Sequence, residues 1–393
     1  MTKENYKTYS SRSFSPYALE RVGLRSLNVG IIGAGSFATF AAAAFLKIEG
    51  VKIVAITDLN EQTGKQFAAE LQAKFYTAYQ ELLMDDKIAL VYIATPPFLH
   101  YEISKNALLA GKHVICEKPA ALKTSDAEEL KILAGKLKLL YVVNLMQQYN
   151  PLYTAVKNII AEKILGNFLH GFFENYASDE NLSEGHWFWD EAKSGGIFIE
   201  HGVHFFDMFS GWLGKGEVIS ALQICRENSG TYIYDRAQAT VLYQEGIVNF
   251  YHGFDQPKIL DRQEIRLEFE RGDISLYGWI PVKIRLHGLF KKGDLQVLDK
   301  IMQPLLIVEH NHADQPNKKV RARFRDIIFD SHATIEYGSD TGKQDRYQQV
   351  LTAMLCDQWT WIRNNEHIRI IDDNNAVESI RMAEHAREIA QKL

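Results

Sequence analysis

From Leu27 to about Asn144 the chain alternates short, almost wholly apolar runs with longer stretches in which apolar residues return at helical spacing. A strand exposed on one face would alternate with period two, so runs apolar on both faces predict parallel strands covered on each side by crossover helices. The runs fall at 27–32 (LNVGII), 51–57 (VKIVAIT), near 74–76, 89–94 (ALVYIA), 112–116 (KHVIC) and 139–144 (LLYVVN), with helical stretches near 36–48, 60–72, 77–84, 98–109 and 123–137. Six strands in this rhythm predict an α/β N-terminal Rossmann fold, a doubly wound parallel sheet, over residues 27–149. Past Pro151 the pattern changes to a helix (151–162), a strand (168–176) and strand runs at 216–226, 231–243, 247–254 and 263–271 separated by glycine-containing turns. This predicts an α+β domain over 150–374 with a large, mostly antiparallel open sheet. In the final segment, 375–393, Ala376, Ile380, Met382, Ala383, Ala386 and Ile389 recur at helical spacing, which predicts a helix packing back on the Rossmann domain. The polar residues 1–26 read as an N-terminal arm that wraps a neighbouring subunit or stays without fixed structure.

One stretch could mislead. Leu27 to Leu46 is twenty residues without a charge, long enough for a membrane helix. Gly33, Gly35, Ser36 and Thr39 interrupt it, and a strand-to-helix switch explains both apolar halves, so no membrane span is expected. The opening MTKENYKTYSSRS has no apolar core of the kind a secretory signal needs. At 393 residues two domains are expected, each able to bury its own core. Cys116, Cys225 and Cys356 are odd in number and dispersed, which fits a reducing, cytoplasmic setting and no cysteine metal site. The net charge of -5, with Lys and Arg scattered along the chain, gives no footprint for a nucleic-acid backbone.

The first turn carries chemistry. Gly33-Ala34-Gly35-Ser36-Phe37-Ala38 is a G-x-G-x-x-A that ends a strand and opens a helix. Gly33 permits the tight turn, Gly35 lets a pyrophosphate approach the backbone, and Ala38 lets the helix pack close to the sheet. The phosphates are then expected at the helix N-terminus, where unpaired N–H groups and the helix dipole favour anions. Asp58, 23 residues after Gly35 at the end of the second strand, stands where a carboxylate accepts from the adenine ribose hydroxyls. Its charge repels a 2′-phosphate, and Leu59 and Asn60 supply no cation, so NAD is favoured over NADP. Asp58 is also placed to cap the helix that begins near Asn60.

Two further motifs follow the fourth and fifth strands, Thr95-Pro96-Pro97-Phe98-Leu99-His100 and Cys116-Glu117-Lys118-Pro119, and a third spans 194–207, SGGIFIEHGVHFFD. With GIIGAGSFA, these three ordered motifs resemble the glucose-fructose oxidoreductase/inositol dehydrogenase/MocA family from about Leu27 through at least Gly214. The resemblance implies an NAD(P)-dependent oxidoreductase acting on CH–OH groups. It implies that the loop bearing Thr95, Pro96, Pro97 and His100 lies along the cofactor, and that Glu117 and Lys118 sit beside nicotinamide and substrate. It also implies a second-domain sheet used for dimerisation, hence a homodimer or homotetramer. The family more often has aspartate where Glu200 stands, which shifts the carboxylate by about one methylene and changes the geometry offered to a substrate.

By chemistry alone, the carboxyl ends of parallel strands open on the ligand crevice, so Lys118 faces the site and can stabilise developing alkoxide charge. Glu200 and His204 are spaced i, i+4, on one face of a helix, and an imidazole there is the candidate acid/base. Glu200, His201, His204 and Asp207 raise the question of a metal, but His201 lies roughly 100° from Glu200 around a helix and no further ligand cluster offers itself, so none is expected. Asp207 reads as an anchor that can pair with His204. Trp187 and Trp189, with Asp190 and Lys193 nearby, suit the C–H faces and hydroxyls of sugars; Gln148 at the domain hinge and His201 are further candidate substrate contacts. His310 and His312 read as surface residues. The leading reading is hydride transfer between nicotinamide and a secondary alcohol or ketone of a sugar, cyclitol or related polyol, with His204 moving the proton. The alternatives are an enzyme that recycles a bound NAD internally, as an epimerase or redox-assisted glycosidase does, and a non-catalytic NAD-binding regulator.

Overall fold

The computed structural model describes residues 26–393 except 180, 181, 229, 230, 245, 304, 323 and 324. The arm expected over 1–26 therefore lies, apart from Ser26, outside the described residues. The first domain runs β1 (Leu27–Ile32), α1 (Ser36–Phe45), β2 (Val51–Thr57), α2 (Glu61–Glu70), β3 (Lys74–Tyr76), α3 (Tyr79–Leu83), β4 (Leu90–Ile93), α4 (His100–Leu109), β5 (His113–Cys116), α5 (Thr124–Leu137) and β6 (Tyr141–Val143). The six strands form one parallel sheet in the order β3-β2-β1-β4-β5-β6. The order reverses between β1 and β4, and ligands of such sheets bind in the crevice at that switch point. Val29, Ile31, Val91, Ile93 and Val114 have no exposed surface, the consequence of helices on both faces.

Gly33 fixes how β1 leaves the sheet. Its φ is +100°, and a Cβ there would lie 2.4 Å from the Ala94 carbonyl oxygen, so the turn admits no side chain. Its N–H is held by Thr57 O at 2.8 Å, which ties the turn to the end of β2.

The second domain begins with α6 (Pro151–Ala161), which Asn150 caps by accepting from Leu152 N with Pro151 in the first turn. Then come β7 (Phe168–Tyr176), α7 (Glu191–Ser194), a widened π-type turn at Phe198–Gly202, and α8 (Val203–Leu213). The rest is β8 (Glu217–Asn228), β9 (Thr231–Tyr243), β10 (Gly246–Gly253), β11 (Arg262–Phe269), β12 (Gly272–Tyr277), β13 (Lys283–Phe290), α9 (Asp294–Met302), β14 (Leu306–Ala322), β15 (Arg325–Gly338), α10 (Lys343–Arg363), α11 (Asp373–Ile389) and β16 (Gln391–Lys392). The sheet order is β14-β15-β13-β12-β11-β7-β10-β9-β8-β16, antiparallel except at β7/β10 and β8/β16. α8 rests on the sheet through Phe205, stacked on Phe173 of β7 at 3.5 Å between centroids, and through Phe206 and Phe209 against Phe250 of β10. These buried rings fix the face that α8 turns toward the first domain.

α11 ties the two domains together. Glu384 accepts from Thr124 N at 2.7 Å and Lys131 donates to Asn374 at 2.5 Å, both contacts to α5, while Asn375 reaches Asp207 of α8 at 2.6 Å. Among the described residues no helix is long and apolar enough to cross a membrane.

Candidate active site

The loops after β4 and β5 are held in register by His100. It has no exposed surface, and its Nδ1 and Nε2 each lie 2.7 Å from a carbonyl oxygen, of Pro119 and Thr95 respectively. Burial pulls its pKa down while the two carbonyls oppose that shift. His100 therefore shapes the two loops from behind.

Glu117 points into the core beneath them, where its Oε1 accepts from the Tyr92 hydroxyl and from Asn144 Nδ2 at 2.9 Å. Burial pushes its pKa up to about 7 against those two hydrogen bonds. Lys118 turns the other way. Its Nζ donates to the Glu200 carboxylate and, at 2.7 Å, to the Glu200 carbonyl. The widened turn at Phe198–Gly202 carries Glu200 to this contact, and α8 begins immediately after it with His204 in its first turn.

His204 is 5% exposed, and its Nδ1 is buried without a partner. Burial holds its pKa well below the ordinary histidine value, and the Lys118 charge adds to the shift. Trp279, just past β12, sets its edge against the ring at 4.9 Å and 82°. Asp207 does not pair with His204; it accepts from Gln148 Nε2 at 2.8 Å and from Asn375 Nδ2. Burial raises its pKa to about 7.

At the dinucleotide turn, Gly35 and Ser36 are exposed, and nothing lies within 4 Å of where a Gly35 Cβ would be. Ser36, Phe37 and Ala38 present the first-turn N–H groups of α1, which a helix cannot satisfy internally. Asp58 closes the crevice: its Oδ2 accepts from Ala34 N and its Oδ1 from Asn60 N, each at 2.7 Å. Asn60, not Asp58, caps α2, accepting from Thr63 N at 3.1 Å. Thr95 Oγ1 is buried beside this crevice with no partner. An open cradle, unpaired N–H groups and an orphaned hydroxyl fit a dinucleotide.

Residues 27–145 match the family described as "Oxidoreductase family, NAD-binding Rossmann fold", and residues 153–275 match the GFO/IDH/MocA C-terminal domain. The chain belongs to the Gfo/Idh/MocA family. It is an NAD(P)-dependent oxidoreductase with an NAD(P)-binding Rossmann domain. "Oxidoreductase P35" of Formosa agariphila is 27% identical over 288 residues, covering 71% of this chain and 88% of that protein. "Glucose-6-phosphate 3-dehydrogenase" of Bacillus subtilis is 30% identical over 184 residues, covering 46% of this chain and 52%, about half, of that protein. In fold the chain resembles a levoglucosan dehydrogenase in complex with NADH and L-sorbose, with TM-score 0.72, 16% identity, and 93% and 96% of the two chains covered. It also resembles KijD10, a 3-ketoreductase from Actinomadura kijaniata in complex with NADP and TDP-benzene, with TM-score 0.71, 18% identity, and 94% and 99% covered.

Within this Gfo/Idh/MocA scaffold the residues picked out by sequence separate into groups. Lys118 and Glu200 are in direct contact, and His201 and His204 lie beside them against Trp279. Gln148, expected as a substrate contact, is 5% exposed and donates to Asp207. Trp189 lines a shallow cavity of about 240 Å³ with Phe188, Asp190, Glu191, Ile197 and Tyr234, and Trp187 lies beside Phe188. Trp279, just past β12, and His252 of β10 pack against His201 and were not legible in the sequence, since each meets the widened turn only through tertiary packing.

Proposed function

We propose that this enzyme transfers a hydride between NAD and a secondary alcohol or ketone of a sugar, cyclitol or related polyol, with Lys118 polarising the reacting oxygen and His204 moving the proton. The observation that carries the proposal is the Lys118 ammonium held by Glu200 beside a histidine whose Nδ1 has no hydrogen-bond partner among the described residues. A lysine ammonium has three N–H donors. Glu200 takes two of them, with its carboxylate and its carbonyl, and the third is left for a substrate oxygen. His204, kept neutral by burial, takes up the hydroxyl proton in the oxidation direction and returns it to the carbonyl oxygen in reduction. The nicotinamide, when bound, supplies the acceptor or donor of the hydride. Gly33, Gly35, Ser36, Phe37 and Ala38 would hold the pyrophosphate, and Asp58 the ribose; the negative charge of Asp58 favours NAD over NADP. The relatives named for glucose 6-phosphate and levoglucosan support a carbohydrate substrate. A homodimer or homotetramer through the open face of the large sheet goes with this reading.

The test is to purify the protein and follow NADH absorbance over a panel of pyranoses, cyclitols and their keto forms. Formation or consumption of NADH that depends on both Lys118 and His204 is the expected result. A panel with no net NADH change, while bound NAD is retained and reduced in place, would replace this proposal with internal recycling.

A further inference from the structure

Two histidines meet behind the catalytic cluster. His201, one residue after Glu200, places its Nδ1 2.9 Å from Nδ1 of His252 on β10. Phe173, Phe205 and Phe254 surround the pair, with centroids 5.1–6.5 Å from the His201 ring. Burial drives both pKa values down, His252 to about 3, and His201 is lowered further by His252, Lys118 and His204. Both rings are therefore neutral at pH 7, and two neutral imidazoles at this distance share one proton: one Nδ1 donates and the other accepts.

The other nitrogens decide which. His252 has no exposed surface, and its Nε2 is buried without a partner. A proton there would be an orphaned buried donor, which is rarer and costlier in proteins than an unused lone pair. The favoured arrangement has His252 protonated at Nδ1 and donating to His201. That forces the His201 proton onto Nε2, which has no protein partner and is not sealed as its counterpart in His252 is. The His201 ring faces Trp279 at 5.7 Å and 30°, and the same indole touches His204.

We infer that His252 is a positioning residue which locks His201 as an Nε2–H donor opening on the substrate cleft beside Trp279. His204, with neither nitrogen hydrogen-bonded among the described residues, can exchange its proton; His201 cannot. The pair of walls selects a ring whose C–H face lies on the indole and which carries an oxygen acceptor toward His201. An ammonium substituent in that place meets an N–H and the Lys118 charge and is rejected. The substrate half of this inference rests on the proposed activity, whereas the tautomer does not.

Selective ¹⁵N-histidine labelling with long-range ¹H–¹⁵N correlation reads the tautomer directly, with His201→Asn and His252→Asn as assignment controls. The expected result is His252 protonated at Nδ1 and His201 at Nε2; His201 protonated at Nδ1 overturns the inference. For whichever panel compound is oxidised, His252→Asn keeps an N–H near the Nδ1 position and should hold KM within about threefold. His252→Leu should raise KM about tenfold or more, with kcat and NADH affinity little changed. Should that variant not fold, His201→Phe asks the same question at a partly exposed position. Unchanged KM in these variants overturns the donor role, and a panel with no oxidised compound removes the substrate half while the resonances still decide the tautomer.

Discussion

Replacing Lys118 by methionine separates its structural from its chemical contribution. The side chains of Lys118 and Glu200 are 19% and 10% exposed, so the pair is mostly shielded from water. Removing one partner of a buried pair leaves the other charge uncompensated and costs about 3–5 kcal/mol. Water still reaches this site, which places Lys118→Met near the lower end, about 3 kcal/mol. For a domain of this size that corresponds to a fall in Tm of roughly 5–10 °C. Adding Glu200→Gln removes the stranded charge and should recover most of that loss. Turnover should fall about a hundredfold or more in Lys118→Met, and the second substitution should not restore it, because the donor to the reacting oxygen is still missing. Thermal melts of the wild type, both single variants and the double variant give the coupling between the residues, and NADH absorbance gives turnover. A Lys118→Met protein with the wild-type Tm would refute the buried pair, and one with turnover within tenfold of wild type would refute its chemistry.

Asp58→Ala should relax the preference for NAD over NADP by removing both a ribose acceptor and the charge that repels a 2′-phosphate; a wild type that binds the two equally tightly contradicts the role given to Asp58. His204→Ala should lower turnover about a hundredfold with cofactor affinity retained. Because burial and Lys118 hold the His204 pKa below the ordinary value, kcat/KM for oxidation should show no loss attributable to this residue until the pH falls below 6.5. An acid limb above 6.5 that disappears in His204→Ala would show the shift to have the opposite sign. Asp207 has its carboxyl raised from 3.8 to about 7, so its share of stability is present below about pH 4 and is lost as pH rises through 7. Three pKa units correspond to about 4 kcal/mol, and Asp207→Asn should remove that slope. Its Tm relative to wild type should rise from pH 5 to pH 8, while parallel melting profiles would count against the shift.

What the sequence disclosed follows from where each signal is written. β1 and β2 were legible to the residue because they are mostly buried and apolar, with Asn28, Lys52 and Thr57 as their polar positions. β14 was not, because it is an edge strand with nearly all its residues in water, and LIVEHNHADQPNKKVRA shows no alternation of period two. His310 and His312, read as surface residues, lie on that exposed strand. Lys118, Glu200 and His204 could be singled out from sequence because their motifs are local. Glu200 and His204 do not hydrogen-bond each other, since the ammonium 82 residues away captures the carboxylate. For Gln148 too, the position at the hinge is local, but its direction is set by Asp207, 59 residues on. His252 and Trp279 carry no motif. The pairing of β10 beside β7, and the chain leaving β12, bring them to the widened turn.

The glutamate at position 200 alters the cleft in a way that an aspartate would not. Its longer side chain reaches back to the same Nζ that its own carbonyl binds, so one residue occupies two of the three ammonium donors. That leaves Lys118 a single direction in which to meet a substrate oxygen. Burial favours the neutral forms of His201 and His204 and raises the Glu117 carboxyl to about 7, so Glu200 is the carboxylate in direct contact with Lys118. Under the proposed mechanism, charge developing on a reacting oxygen would meet one oriented N–H in a site only partly reached by water, where such a contact is worth more than in bulk water. On that mechanism, electrostatic preorganisation would come from restricting the cation rather than from adding more of them. The same restriction makes the cleft sensitive to the length of residue 200, because shortening it frees a second donor without changing the net charge.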